Sequence, residues 1–161
     1  MRVEDFLTEV ERSFDGDPQT SDPVDPVFAH IAETVNGYTA VNELAVLNAA
    51  ARALPEDECY LEVGSYKGRS MSAAVQGIAG KTFYVVENYL EFGMQGQQAR
   101  EELDRNLATH ARDVDVRLLE FYPAHAGDRW LLRDASNAGA TLLRRVAALA
   151  GAELTLQDEE G

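Results

Sequence analysis

The stretch "CYLEVGSYKGRS", residues 59–70, runs an apolar segment into a polar loop punctuated by Gly64 and Gly68. Glycine admits positive φ and lets a ligand approach the backbone closely, so this loop raises the question of what it approaches. Beyond it, "SMSAAVQGIAG" reads as a short helix closed by Gly80. "KTFYVVEN" reads as a second strand, rich in β-branched and aromatic residues. "GQQAREELDRNLATHA" then reads as an amphipathic helix, with Arg100 and Asp104, and Glu101 and Arg105, placed as i,i+4 pairs. "VDVRLLEF" supplies a third strand. Alternation of this kind predicts a parallel sheet with right-handed crossovers and helices over its faces.

After the third strand, "ASNAGATLLRRVAALAG" predicts a helix with Leu142, Val146 and Leu149 inward, and "AELTLQ" a fourth short strand. Towards the N-terminus, Val3, Phe6, Leu7, Val10 and Phe14 share one helical face. The Asp/Pro/Gly-rich "DGDPQTSDPVDP" can neither continue that helix nor pair in a sheet, so it reads as an exposed linker. Two further helices follow. One starts at about Pro26 with Val27, Ile31 and Val35 on one face and Gly37 as its stop, and the other runs from about Asn42 to Ala53. The fold expected is therefore α/β: a Rossmann-like parallel sheet of three to four strands with helices on both faces, incomplete, and preceded by N-terminal helices. Residues 1–25 form the leading helix and linker, and residues 26–161 the Rossmann-like domain, with the pattern clear to about residue 122.

The 161-residue chain carries a formal net charge of -14. Such a surface repels nucleic acid phosphates and anionic membranes, and suits a small neutral or cationic ligand. The single cysteine, Cys59, cannot form an internal disulfide, and no stretch resembles a signal peptide or a membrane span. The expected location is the cytoplasm.

In doubly wound sheets ligands sit beyond the carboxyl ends of the strands, where Gly64 and Gly68 fall. Glu87 closes the second strand, at about the spacing (~20 residues) where an acidic residue in such folds accepts hydrogen bonds from ribose hydroxyls. The dinucleotide fingerprint needs a glycine where Tyr66 stands and another where Arg69 stands, which disfavours a pyrophosphate.

The segments "LEVGSYKGRS", "VVEN", "EFG" and "RNL", in that order over roughly residues 43–120, resemble class I S-adenosylmethionine-dependent methyltransferases. The resemblance is closest to the macrocin-O-methyltransferase-like family, in its N-terminal, cofactor-binding half. It implies that Glu62, Gly64, Ser65 and Gly68 surround the methionyl end of S-adenosylmethionine, with Glu87 on the ribose diol and Asn88 beside it. The activity implied is methyl transfer to a small molecule. The family's acceptor-side segment has no counterpart here. After the third strand Glu120 and Phe121 stand where the family tends to carry Gly-Asp.

Two other readings stay open: a noncatalytic remnant or interaction module of the same fold, and a Rossmann-type protein binding another nucleoside cofactor such as NAD. A chain that supplies half a sheet leaves an open edge, which favours association between copies. Lys67 and Arg69 read as solvated bases near a helix start, and Tyr66 and Tyr89 as strand-end aromatics. His30, His110 and His125 lack a second ligand at i+4 spacing, so no metal site is expected; His125 alone falls near the expected cofactor mouth. No residue is assigned a catalytic role.

Overall fold

The computed structural model describes residues 1–123, 129–133 and 153–157. Three helices come first: α1 (Val3–Ser13), α2 (Val27–Thr34) and α3 (Val41–Arg52). The α/β unit follows, with β1 (Tyr60–Val63), α4 (Arg69–Ala74), β2 (Thr82–Glu87), a 3₁₀ turn (Tyr89–Phe92), α5 (Gly93–His110) and β3 (Asp115–Pro123). Two short strands, β4 (Arg129–Arg133) and β5 (Glu153–Gln157), complete the described elements.

The sheet has the order β1-β2-β3-β4-β5, with β1, β2 and β3 parallel. This is the open, incomplete Rossmann-like α/β arrangement expected from the sequence. It departs from that expectation in strand number: the described residues hold five strands rather than three to four. The strand not anticipated is β4, which pairs antiparallel with β3 and parallel with β5. Its "RWLLR" has three consecutive apolar residues between arginines, a run too short for either period to show. The strand expected at "AELTLQ" is present as β5. The helix expected over residues 135–151 lies outside the described residues, as does His125.

Strand alternation divides β2 between two faces. Phe83 and Val85 pack with Met71 and Ala74 of α4 and with Ala99 and Leu103 of α5, while Tyr84 and Val86 are buried on the opposite face. Phe83 and Leu103 are fully buried, and each such side chain stabilises the fold by ~1.5–3 kcal/mol. A second cluster joins Phe14, Phe28, Ile31, Val35 and Leu44 to Ala73 of α4. Thus α4 carries both cores, and the N-terminal helices are seated on the α/β unit through it.

Polar contacts fix this seating. The buried Asn48 amide donates to the carbonyls of Ala73, Ala74 and Gln76 at 3.1, 3.0 and 2.9 Å, satisfying carbonyls at and just beyond the end of α4. The linker is tied as well as exposed, because Asn42 Nδ2 of α3 donates to the carbonyls of Pro18 and Ser21. Among the described residues no helix is long and apolar enough to cross a membrane.

Candidate functional site

The loop between β1 and α4 is shaped by its backbone. Gly64 N–H donates to the Val86 carbonyl (2.9 Å), which carries the β1–β2 pairing one step past the strand. Gly68 N–H closes a turn on the Ser65 carbonyl (2.8 Å), and Ser72 N–H then reaches the Gly68 carbonyl (2.8 Å) to start α4. Gly64 and Gly68 have φ of 85° and 84°, and Tyr66 between them has φ of 50°. The two glycines serve different ends. A Cβ on Gly68 would lie 2.6 Å from Leu103 Cδ1, so its absence lets the loop rest on α5. A Cβ on Gly64 would meet no described atom within 4 Å, so the space above it is open.

Tyr66 tolerates the left-handed region, which costs a non-glycine residue ~1–2 kcal/mol, because it is held at both ends of its peptide units. Its N–H donates to Glu87 Oε2 at 2.7 Å, and its carbonyl accepts the Tyr89 hydroxyl. The other Glu87 oxygen accepts Asn88 N–H at 3.0 Å. Each carboxylate oxygen therefore keeps acceptor capacity for a ligand hydroxyl. Behind the loop, the partly buried Glu62 carboxylate accepts a hydrogen bond from the Ser65 hydroxyl, with the Ser70 hydroxyl close by. Burial raises the Glu62 pKa, the two hydroxyls partly offset this, and the nearby Glu87 charge raises it further.

A cleft of about 410 Å³ opens beside Glu87, lined by Tyr66 and Lys67 from the loop and by Phe92, Gln95 and Gly96 at the start of α5. That volume lies within the ~300–1,000 Å³ range of small-molecule pockets. Gly96 makes the geometry feasible, since a Cβ there would stand 1.7 Å from the Tyr89 carbonyl oxygen. Lys67 Nζ pairs with Glu102 Oε1 at 2.9 Å and lies 5.2 Å from the centre of the Tyr66 ring. The hydrogen bond to Glu102 raises the Lys67 pKa, and the same bond lowers that of Glu102.

The structure brings the six residues named from sequence to one place. Glu62 bonds Ser65; Gly64 and Gly68 turn the same loop; Glu87 bonds that loop at Tyr66 and its own neighbour Asn88, which is buried. Of the six, only Glu87 lines the cleft. Tyr66, Lys67, Phe92, Gln95 and Gly96 also line the cleft, and no motif in the sequence marks them as site residues. For Gly96 a signal existed, a glycine in the first turns of a helix, which needs a packing reason. Arg69, read as solvated, instead donates to the carbonyls of Val35 and Thr39.

Glu120 and Phe121 lie in β3, Glu120 opposite Glu87 in register. His110 is partly buried, and its pKa is lowered by that burial and by His30. Among the described residues no group of three or more His, Cys, Asp or Glu is placed to hold a metal ion. Comparison with protein-family models, with curated proteins and with solved structures finds no match for this chain.

Proposed function

We propose that the protein binds S-adenosylmethionine beyond the ends of β1 and β2 and directs its methyl group to a small molecule, acting in the cytoplasm. The observation carrying this reading is the placement of Glu87, whose carboxylate joins the end of β2 to the glycine loop at Tyr66 N–H and faces the cleft. Such a carboxylate, with acceptor capacity left on both oxygens, suits a ribose diol. Glu62 supplies a second negative charge behind the loop, suited to the ammonium of an aminoacyl tail. The open space above Gly64 leaves room for a ligand to lie on the loop's backbone.

S-adenosylmethionine held by Glu87, Glu62 and the glycine loop would supply an electrophilic methyl carbon on a sulfonium; the acceptor's lone pair would take that carbon, the carbon–sulfur electron pair would stay on the departing S-adenosylhomocysteine, and the acceptor's proton would pass to solvent. The chain's own residues would orient the two partners, so that the displacement proceeds as an effectively unimolecular step. Tyr66 is the feature that favours this reading over NAD. It occupies the position where a pyrophosphate-binding loop needs glycine, and its backbone N–H is already committed to Glu87.

Calorimetric titration with S-adenosylmethionine and with NAD separates the readings. Saturable binding of S-adenosylmethionine alone, lost in Glu87→Ala, is expected. Binding of NAD in its place would move the protein to another nucleoside cofactor, and binding of neither would leave a noncatalytic module.

A further inference from the structure

The α2–α3 loop, residues 35–40, lies against the cleft wall at Tyr66, and that loop is held from outside itself. Arg69 Nε donates to the Val35 carbonyl at 2.6 Å and Arg69 Nη1 to the Thr39 carbonyl at 3.2 Å. Gly37 lies so close to Arg69 that a Cβ there would come within 2.8 Å of Arg69 Cβ. Asn36 Nδ2 donates to Glu102 Oε2 at 3.3 Å, the same carboxylate that pairs with Lys67. These anchors set Tyr38 at the tip of the loop. Its ring stacks on Tyr66, with centroids 5.9 Å apart and planes 19° apart. Yet Tyr38 is 93% exposed, so the stack covers little of it.

An aromatic side chain that is fixed at its base, stacked beside the cleft mouth and open on its outer side is a ready surface for a planar ring. We infer that Tyr38, backed by Tyr66, is the acceptor-side platform of the site and stacks an aromatic acceptor that is uncharged or cationic. This rests on the methyltransfer reading for the word acceptor, though not for the stacking. The charge preference follows from the surroundings. Lys67 is neutralised by Glu102, Glu62 stands behind the loop and Glu87 lines the cleft, and the electron-rich ring faces attract cations and not anions. It would also place the substrate side of the site in the N-terminal helices, where the sequence offered no motif.

The test uses the full chain and two phenolic probes of opposite charge, tyramine and 4-hydroxyphenylacetate, titrated by saturation-transfer NMR with and without S-adenosylhomocysteine. Tyramine is expected to bind at least about threefold more tightly than 4-hydroxyphenylacetate. Its affinity should fall about threefold to tenfold in Tyr38→Ala and stay within about twofold in Tyr38→Phe. The exposure of Tyr38 means that both variants should keep the wild-type unfolding midpoint. Equal tyramine affinity in wild type and Tyr38→Ala, or no binding of either probe, would overturn the platform. Failure of S-adenosylhomocysteine to bind, with the Tyr38 effect on tyramine intact, would instead remove the cofactor reading and leave the platform standing.

Discussion

Two loops meet at Tyr66, and they are held in different ways. The β1–α4 loop is set by its own backbone conformation, with three residues in the left-handed region, and by partners on the next strand and turn: the Val86 carbonyl, the Glu87 carboxylate and the Tyr89 hydroxyl. The α2–α3 loop is set by side chains from elsewhere, chiefly the Arg69 guanidinium and the Tyr66 ring. The first loop should therefore be intolerant of an added Cβ, and the second of losing a distant partner. A rigid backbone cradle suits the nucleoside end of a ligand, whereas a loop held by side chains can be retuned for a different acceptor.

The largest effect expected is at Gly68. Gly68→Ala combines left-handed strain of ~1–2 kcal/mol with a contact 2.6 Å from a fully buried leucine, for a total loss of about 3 kcal/mol in denaturant unfolding. Next comes Arg69→Met, which removes two charged hydrogen bonds to the other loop and should lower stability by ~1–2 kcal/mol. It should also weaken tyramine while leaving S-adenosylhomocysteine affinity within about twofold. Gly64→Ala meets no described neighbour, so only the ~1–2 kcal/mol backbone cost applies to stability. Its Cβ points into the open space above the loop, and ligand affinity should fall more than tenfold. A stability loss as large at Gly64 as at Gly68 would erase the distinction between the two glycines.

The smallest effect is one of sign. The Glu62 pKa is raised in the folded state, so the folded protein holds that proton more tightly than the unfolded chain. The resulting destabilisation is absent below the ordinary value of 4.5, grows as pH rises from there through the raised value, and is complete above it. Glu62→Gln should therefore gain stability relative to wild type on going from pH 4 to pH 7, in paired unfolding curves. The same substitution should weaken binding of a ligand carrying an ammonium. A difference between the curves that shrank with rising pH would contradict the burial of this carboxylate as an ion.

The contrast between the loops also explains what could be read from sequence. Glycines at Gly64 and Gly68, an apolar run before them and Glu87 after the next run are local signals, because backbone conformation and strand periodicity are written in neighbouring residues. They located the cradle and the parallel β1-β2-β3 unit. The α2–α3 loop depends on contacts between residues some thirty positions apart, Val35 with Arg69 and Tyr38 with Tyr66, and such contacts leave no periodic trace. Arg69 shows this most clearly: its composition and position near a helix start read as a solvated base, and only the fold turns its guanidinium towards two carbonyls. The β4 strand was missed for a related reason, since its pairing partners β3 and β5, and not its own pattern, make it a strand.

The most direct measurement is an amide NMR titration of the full chain with S-adenosylmethionine. The Tyr66 and Asn88 N–H groups both donate to Glu87, so ribose binding at that carboxylate should shift both together. Saturable shifts at Tyr66, Asn88 and Gly64 are expected with S-adenosylmethionine, and none there with NAD. No shift at Tyr66 and Asn88 at saturating S-adenosylmethionine, or shifts at these amides with NAD alone, would rule out ribose binding of S-adenosylmethionine at Glu87.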